Sequence, residues 1–397
     1  MRILYVLAEN LNRTGGGIVH FLAVARGLKR LGHQVVILGP QYGPTVRRPR
    51  DLRAIFLPVL MRSPATFLGF QVLAALVYPF IWVLYRPQAV LVRGGLGMFF
   101  LLHLVARLLG ARVVLEVNGI GWTEMESRGF SRWHVRFARA TAWLQCRTAH
   151  RLIAVTPAIG DELVRSCRLS PEGVFVIQNG ADPDEFDPSR RQAARAALGL
   201  GPDTLAIGVV GSFTPWHGLR ETVQAMSRLG PEVRSHVTLF LVGHGDYWDA
   251  MSKAVAEEKV GDAVRLPGDV GRREVADYLA AFDVGLYINT DALVARFGNT
   301  PLKFWEYLAA GLPVLASDNC NLTPLIREHG LGWVIEDVSP RGIAAAIEEV
   351  WRHRRRLAEM GRRNRELLRQ RFSWLAVSRE VARVLEGQAV GGAREDP

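Results

Sequence analysis

The side chains best suited to chemistry occur on one short predicted helix in the second half of the chain. Asn299 or Thr300 is placed to cap this helix and Pro301 fits its first turn, which leaves the first backbone amides open to an anion. Lys303 and Glu306 are three residues apart and therefore lie on the same helix face. A cation beside a helix N-terminus suits a diphosphate, and a carboxylate one turn later suits a pair of sugar hydroxyls.

Lysine is rare in this chain, which makes its presence on that helix informative. Lysine occurs only at positions 29, 253, 259 and 303, among 49 basic residues. A lysine where arginine is the rule favours a specific ligand contact. A solvated ion pair between Lys303 and Glu306 is the alternative, because such pairs are common on exposed helices.

Glycine-rich turns follow the first predicted strand of each half of the chain. The turn Gly15-Gly16-Gly17 opens a helix whose free amides favour an anion, although its spacing is not that of the dinucleotide fingerprint. The turn at residues 211–218 brings Ser212 and His217 to the start of another helix, where His217 is a candidate phosphate ligand. Both turns are also compatible with a purely structural role.

Three more candidate positions follow predicted strands, where ligands bind in open α/β sheets. Asn118 ends a strand of the first half, and Gly243 and Gly268 lie in turns of the second half that would offer backbone groups to a nucleobase. Asp182-Pro183-Asp184 has the spacing of a metal-binding pair of aspartates. It lies beside proline in a predicted linker, so we expect no metal there.

These loops belong to an alternation of strands and helices that predicts parallel sheets covered by helices. The predicted strands are residues 3–8, 34–38, 89–92, 113–117, 152–155 and 174–177, then 205–210, 237–242, 264–266, 284–288, 314–316 and 332–334. An exposed linker rich in Asp, Pro and Arg, residues 182–202, separates the two sets. We therefore expect an α/β protein with two doubly wound domains, at residues 1–188 and 200–371.

Composition and charge narrow the classes of partner. The chain has 397 residues, of which 49% are hydrophobic and 22% charged, so it is long and apolar enough for folded domains. Its net charge of +11 arises in the first half, since residues 1–150 carry 19 basic and 5 acidic side chains. No short element interleaves basic with aromatic side chains as a nucleic-acid module would, so we expect an anionic membrane or anionic substrate and no nucleic acid.

The cysteines and the N-terminal residues indicate in which cellular compartment the protein is expected. Cys146, Cys167 and Cys320 are too few and too widely spaced for a disulfide framework or a zinc site, which favours a reducing cytosol. Residues 1–8 form a short apolar run that ends at Glu9 and is typical of a first strand rather than a signal peptide.

One long apolar stretch allows three interpretations. No charged residue occurs between Arg62 and Arg86, and residues 67–85 are nearly long enough to cross a bilayer. A crossing is disfavoured because it would separate strands that the alternation places in one sheet. A helix at the membrane interface and a helix buried against the sheet both remain open.

Several motifs together resemble those of the GT-B glycosyltransferases, specifically the retaining enzymes of the family-4 type. They are Gly15-Gly16-Gly17 with His20, Gly32-His33-Gln34-Val35, Val155-Thr156-Pro157, and residues 176–183, 211–218 and 306–314. The resemblance implies two Rossmann-like domains that face each other across a cleft. It also implies that a C-terminal helix, residues 373–390, returns after Phe372-Ser373-Trp374 to complete the first domain.

The resemblance further implies transfer of a hexosyl unit from a UDP- or GDP-linked sugar, with retained configuration and without a metal cofactor. By match, Glu306 would hold the ribose hydroxyls and Lys303 the diphosphate, while Gly16 and Gly17 would contact the phosphates or the acceptor. No nucleophile is evident, so we expect attack on the face from which the diphosphate departs.

Three positions depart from the family pattern. Gly298 replaces a common first Glu, so recognition of the donor sugar would fall to the backbone of residues 298–300. Ser212 and His217 occupy a loop that usually carries an Arg and a Lys, and Asn118 stands where many relatives have a His that contacts the donor sugar.

We therefore expect a glycosyltransferase held peripherally at the cytoplasmic membrane face through residues 62–109, acting on a lipid-linked or otherwise anionic glycan acceptor. An epimerase or phosphorylase of the same fold is disfavoured, because no paired acid and base are evident. The departures leave a second interpretation, in which a catalytically impaired GT-B protein acts as a membrane-associated partner in polysaccharide assembly.

Overall fold

The computed structural model describes residues 1–13, 15–59, 64–319 and 321–388, the side chains of residues 64–66 excepted. Arg62, Cys320 and the last two positions of the predicted C-terminal helix lie outside the described residues. The chain divides into two compact units, of which the first comprises residues 1–179 and the segment that begins at Trp374. The second unit is Gly180–Ser373.

The first unit contains seven parallel strands in the order β3-β2-β1-β4-β5-β6-β7. The strands are β1 (Arg2–Leu7), β2 (Gln34–Gln41), β3 (Arg53–Pro58), β4 (Ala89–Gly94), β5 (Arg112–Val117), β6 (Arg151–Ala154) and β7 (Val174–Val176). The helices that precede the second unit are α1 (Gly16–Arg30), α2 (Pro64–Tyr85), α3 (Phe100–Leu108), α4 (Gly121–Ser127), α5 (Arg132–Thr148) and α6 (Pro157–Cys167).

The second unit contains six parallel strands in the order β10-β9-β8-β11-β12-β13. The strands are β8 (Leu205–Val210), β9 (Val237–Val242), β10 (Val264–Gly268), β11 (Val284–Tyr287), β12 (Val314–Ser317) and β13 (Gly332–Ile335). Its helices are α7 (Arg191–Ala197), α8 (Leu219–Met226), α9 (Pro231–Arg234), α10 (Trp248–Glu257), α11 (Arg272–Ala281), α12 (Ala292–Phe297), α13 (Leu302–Ala309), α14 (Leu322–His329), α15 (Pro340–Arg352) and α16 (Leu357–Leu367).

The α/β class with two doubly wound parallel sheets is confirmed. Every residue of β8 and of β9 is buried, as expected for strands covered by helices on both faces. The expected boundary at residue 188 lies later than the division at Asn179. The physical reason is packing, because Ala181 and Phe186 belong to the hydrophobic core of the second unit.

A final helix, α17 (Trp374–Glu386), belongs to the first unit. Val377, Val381 and Leu385 lie in the same hydrophobic core as residues of β1 and α1. The contact with α1 is close, since a Cβ added to Gly27 would lie 2.0 Å from Ser378 Oγ. A glycine at this point of α1 therefore allows α17 to approach.

The long apolar stretch forms α2, which has two different apolar faces. One face is buried in the first unit and includes Phe70 and Tyr78. The opposite face presents Leu76, Phe80, Val83 and Leu84, which are 62–75% exposed. Length and composition alone would allow Phe67–Tyr85 to cross a membrane. A crossing would separate β3 from β4, yet both belong to one hydrogen-bonded sheet, so α2 lies along the surface of the unit.

Candidate active site

Three glycine turns lie side by side at the carboxyl ends of β8, β9 and β10. Gly211, Gly243 and Gly268 all have positive φ angles, of 127°, 138° and 84°. The Gly211 amide donates to Val242 O over 2.9 Å, and the Gly243 amide donates to Gly268 O over 2.8 Å. A Cβ on Gly243 would lie 2.0 Å from Gly211 O, so this turn accepts only glycine. The three predicted turns therefore lie next to one another at the carboxyl edge of the sheet.

Helix α13 begins one residue later than the sequence suggested. Pro301 is its N-cap residue and makes no side-chain capping hydrogen bond. The prediction that Asn299 or Thr300 caps the helix is wrong, because both side chains are used elsewhere. Thr300 Oγ1 accepts from Trp305 Nε1 over 2.9 Å, and Asn299 Nδ2 donates to Tyr287 Oη over 2.7 Å.

The glycine of β11 fixes the position of α13 on the sheet. A Cβ at Gly285 would lie 2.3 Å from the ring of Tyr307, so the helix rests directly on the strand. The Tyr307 hydroxyl also donates to Leu286 O over 3.1 Å. Because Tyr307 follows Glu306 directly, this contact fixes the position of the charged side chains of α13 relative to the sheet.

The amino group of Lys303 lies against the first glycine turn. A Cβ on Gly211 would be 3.4 Å from both Cε and Nζ of Lys303. Burial lowers the pKa of Lys303 to about 8, and the nearby carboxylate of Glu306 opposes this shift. Below that pH the lysine places a positive charge beside the Gly211 turn, which suits a phosphate.

His217 is a neighbour of Lys303 but is not a cation. Its Nδ1 donates to the Ser212 carbonyl oxygen over 2.8 Å. Burial, with a further contribution from the charge of Lys303, lowers the pKa of His217 to about 4. At neutral pH the ring therefore carries its proton on Nδ1, and Nε2 accepts hydrogen bonds. A direct contact from Nε2 to a phosphate would require a bound anion to raise this pKa.

Glu306 is held by an arginine that sequence reasoning missed. Its side chain is 9% exposed, and its Oε1 accepts from Arg272 Nη1 over 2.6 Å. Arg272, the first residue of α11, also donates through Nε and Nη2 to the two oxygens of Glu185 over 2.6 and 2.8 Å. Burial raises the pKa of Glu306, while the charge of Arg272 opposes the rise.

Two backbone groups at residues 298–300 already have hydrogen-bond partners within the protein. The Gly298 amide donates to Val294 O over 2.8 Å, and Asn321 Nδ2 donates to the Asn299 carbonyl oxygen over 2.9 Å. Recognition of a sugar by this backbone stays a prediction. The Gly298 amide would have to exchange its partner to take part in it, whereas the Asn299 carbonyl oxygen has a second lone pair that can accept from a sugar hydroxyl.

The remaining predicted site residues lie in the first unit. Gly16 and Gly17 open α1, with Gly15 as the N-cap residue. A Cβ on Gly17 would lie 2.9 Å from both carboxylate oxygens of Glu9. A carboxylate beside this glycine opposes a phosphate and favours a hydroxyl donor. This arrangement favours the acceptor over the donor phosphates as the partner of the turn.

Asn118 belongs to a buried cluster around Glu116. Asn118 Nδ2 donates to Glu116 Oε1 over 3.0 Å, and Tyr5 Oη donates to Glu116 Oε2 over 2.9 Å. His20 Nε2 and Arg93 Nη1 lie 2.8 and 2.5 Å from Glu116 Oε1. Burial raises the pKa of Glu116, but His20 and Arg93 outweigh it and hold this pKa well below its usual value. The cluster fixes the Asn118 amide at the carboxyl end of β5.

The structure thus sorts the predicted residues into two sets. Ser212, His217, Lys303 and the turn glycines are neighbours in the second unit, where the buried Glu306 forms an ion pair with the half-exposed Arg272. Within the described part of the chain, no group of three or more His, Cys, Asp or Glu side chains is arranged to hold a metal ion. The Asp182 carboxylate instead accepts from the Asp184 amide over 3.0 Å, as in a turn.

Comparison with known proteins places both units among glycosyltransferases. The model of Glycosyltransferase Family 4 matches residues 14–185, and the model of Glycosyl transferases group 1 matches residues 190–367. A D-inositol 3-phosphate glycosyltransferase of Streptomyces scabiei is 31% identical over 211 residues, which are 51% of this chain and 46% of the relative. A second such enzyme, from Catenulispora acidiphila, is 28% identical over 59% of this chain and 56% of the relative. The chain thus spans about half the length of these curated relatives.

Solved structures share the fold over nearly the whole chain. A glycosyltransferase from Rickettsia africae has a TM-score of 0.73 at 15% identity and covers 97% of this chain and 98% of its own. HepE of Anabaena, solved in complex with UDP, has a TM-score of 0.72 at 17% identity and covers 98% of this chain and 100% of its own. At these identities the likeness establishes the fold.

Proposed function

Because the chain belongs to the GT-B glycosyltransferases of the family-4 type, we propose that it transfers a hexosyl unit from a UDP- or GDP-linked sugar to a lipid-linked or otherwise anionic glycan acceptor. In this proposal the transfer retains the anomeric configuration and takes place at the cytoplasmic face of the membrane. The donor binds to the second unit, at the turns that follow β8, β9 and β10.

One observation carries the donor assignment, namely the position of Lys303 against Gly211. The ammonium group supplies positive charge where a diphosphate leaving group would develop negative charge. Glu306, one turn later on α13, accepts hydrogen bonds from the ribose hydroxyls. One of its oxygens already accepts from Arg272, which fixes the carboxylate before the donor arrives.

The reaction needs no protein nucleophile. The bond between the sugar C1 and the diphosphate oxygen breaks, and the acceptor oxygen bonds to C1 on the same face. The departing phosphate oxygen takes the proton of the acceptor hydroxyl, so charge and protons balance without a general base. The cations of the second unit and the start of α13 stabilise the diphosphate, and we propose no metal cofactor for this step.

Two observations support an anionic or lipid-linked acceptor. The first 150 residues contain 19 basic and 5 acidic side chains, and the relatives are named for an acceptor that bears a phosphate, D-inositol 3-phosphate. The exposed apolar side chains of α2 and α3, within residues 62–109, would hold the first unit to the membrane, where a lipid-linked acceptor is found.

Substitution of the two charged side chains of α13 tests the donor site. Lys303→Ala and Glu306→Ala should each lower kcat/KM by about 100-fold or more, since both contacts strengthen as the diphosphate departs. Lys253→Ala is the matched control, because the side chain of this lysine is 76% exposed and pairs with Glu257 on its own helix. Near wild-type activity of both α13 variants would refute the site. Thermal shifts with UDP, GDP, ADP and their sugars would identify the donor.

A second function is supported by the neutral state of His217 in the phosphate loop. Together with Gly298 in place of the first family Glu, it favours a catalytically impaired protein that acts as a membrane-associated partner in polysaccharide assembly. Thermal stabilisation by a nucleoside diphosphate without detectable sugar transfer would support this function. Transfer with any nucleotide sugar would exclude it.

A further inference from the structure

We propose that the outward face of α5 is a binding surface for the phosphate groups of anionic membrane lipids. This inference extends the membrane contact of residues 62–109 to another element, and it stands whether or not the sugar-transfer reaction is as proposed. It concerns the first unit alone.

Helix α5 is amphipathic, and its outward face is both aromatic and basic. Ala138, Ala142 and Cys146 are buried. The exposed side includes Trp133, which is 78% exposed, together with Phe137 and Trp143. Large apolar side chains in contact with water usually mark a binding surface.

Arginines lie between these aromatic side chains. Arg132, Arg136 and Arg139 are exposed, and the guanidinium of Arg136 lies 5.9 Å from the ring of Trp133. The sequence has no acidic residue between positions 127 and 160. The expectation that no short element interleaves basic with aromatic side chains is therefore wrong, because the helical spacing of α5 brings them onto one face.

A cavity beside this face offers a place for one lipid headgroup. It has a volume of about 560 Å³, within the range of small-molecule sites. Trp122, Trp143 and Leu144 form an apolar wall, and Arg136 and Arg139 lie at the same cavity. Two arginines one turn apart suit a phosphate oxygen pair, while the apolar wall suits the first methylene groups of an acyl chain.

The neighbouring helices favour a membrane over a nucleic acid or an acidic protein. Helix α3 packs against both α2 and α5, so the three helices cover adjacent parts of the sheet. Leu84 of α2 and Leu108 of α3 are 75% and 85% exposed. Aliphatic side chains of this kind do not pair with bases or phosphates, but they partition into a lipid surface. Apolar insertion by α2 and α3 and phosphate binding by α5 are complementary.

Vesicle co-sedimentation of the full chain tests the surface. We expect the wild-type protein to bind vesicles of phosphatidylcholine and phosphatidylglycerol in equal parts and to bind pure phosphatidylcholine weakly. Arg136→Ala with Arg139→Ala should weaken binding to the anionic vesicles about 30-fold, at roughly one kcal/mol per arginine near an anionic surface. Arg136→Lys with Arg139→Lys should retain most of the binding, and Trp133→Ala with Phe137→Ala should lose binding as well.

The matched control is Arg355→Ala with Arg356→Ala, which removes two exposed arginines from the second unit and should leave vesicle binding unchanged. The midpoint of thermal unfolding and its shift with UDP should be the same in the wild type and in the α5 arginine variant, which separates this surface from the donor site. Wild-type binding by that variant, an equal loss in the control, equal binding to neutral vesicles, or no binding to anionic vesicles would each overturn the proposal.

Discussion

The guanidinium of Arg272 donates to the carboxylate of Glu306 over 2.6 Å. Glu306 is 7% exposed, and Arg272 is in turn fixed by both oxygens of Glu185. The hydrogen bonds with Glu185 and the charge of Glu306 outweigh burial and raise the pKa of Arg272. The guanidinium therefore stays charged, and its contact with Glu306 holds the carboxylate ready for a donor.

Replacement of Arg272 should show whether this arginine positions Glu306 or takes part in the reaction itself. Arg272→Ala leaves the Glu306 carboxylate without its cation, so it should destabilise the second unit by about 1–3 kcal/mol and weaken donor binding. KM for the donor should rise more than kcat falls, and Arg272→Lys should restore part of the KM. Urea denaturation and steady-state kinetics measure both effects. Arg273→Ala, on the adjacent exposed arginine, should change neither quantity, and an equal effect there would argue against a positioning role.

Nucleoside diphosphate binding should weaken in alkaline solution. The pKa of Lys303 is lowered to about 8, so its positive charge is present below this pH and is lost as the pH rises through it. The dissociation constant should therefore rise between pH 7 and pH 9, by up to about tenfold for each pH unit above the pKa. Calorimetric titration with UDP or GDP measures this. Arg keeps its charge, so Lys303→Arg should give a flat profile, and a rise of the same size in that variant would exclude Lys303 as the titrating group.

The cluster around Glu116 should make the first unit sensitive to acid. Because His20 and Arg93 lower the pKa of Glu116 below its ordinary value of 4.5, this carboxylate stabilises the fold above pH 4.5 and ceases to do so as the pH falls toward the lowered value. Glu116→Gln should reduce the free energy of unfolding by about 3 kcal/mol at neutral pH and flatten its decline in acid. Urea denaturation at several pH values measures both changes. Glu126→Gln, at an exposed position of α4, is the control and should behave like the wild type.

The two faces of α2 should respond differently to the same substitution. Phe70 is fully buried whereas Phe80 is 70% exposed. Phe70→Ala should cost about 3–5 kcal/mol of folding free energy, since it leaves a cavity. Phe80→Ala should change stability by less than about 0.5 kcal/mol and should reduce vesicle binding. Equal destabilisation by the two changes in a denaturant titration would mean that the outward face is also covered.

Most of the strands, though not their order in the two sheets, could be predicted from the sequence, because fully buried parallel strands leave continuous apolar runs. Residues 205–210 and 237–242 were placed correctly for this reason. Strand β3 was missed. Among the residues that the structure describes, it pairs with β2 alone, and most of its residues are incompletely buried. An edge strand thus needs less apolar sequence than a central one and gives a weaker signal.

The donor site, too, could be predicted only in part from the sequence. Lys303 and Glu306 were found because they lie on one helix, where spacing in sequence reports spacing in space. Arg272 is separated from Glu306 by 34 positions in sequence. Because the chain contains so many arginines, the sequence alone does not single out Arg272, and only the fold brings it next to Glu306. The state of His217 was equally hidden, since it depends on its burial and on the charge of Lys303.

Because α17 is synthesised last, the first unit cannot complete its core until the second unit has been translated. Val381, Val384 and Leu385 fill part of the core beside α1, yet all of Gly180–Ser373 is synthesised before them. A nascent chain can bury the core of the inserted unit while the ribosome is still reading the codons for α17. The core beside α1 stays incomplete until then, so the unit that leaves the ribosome first is the last to finish folding.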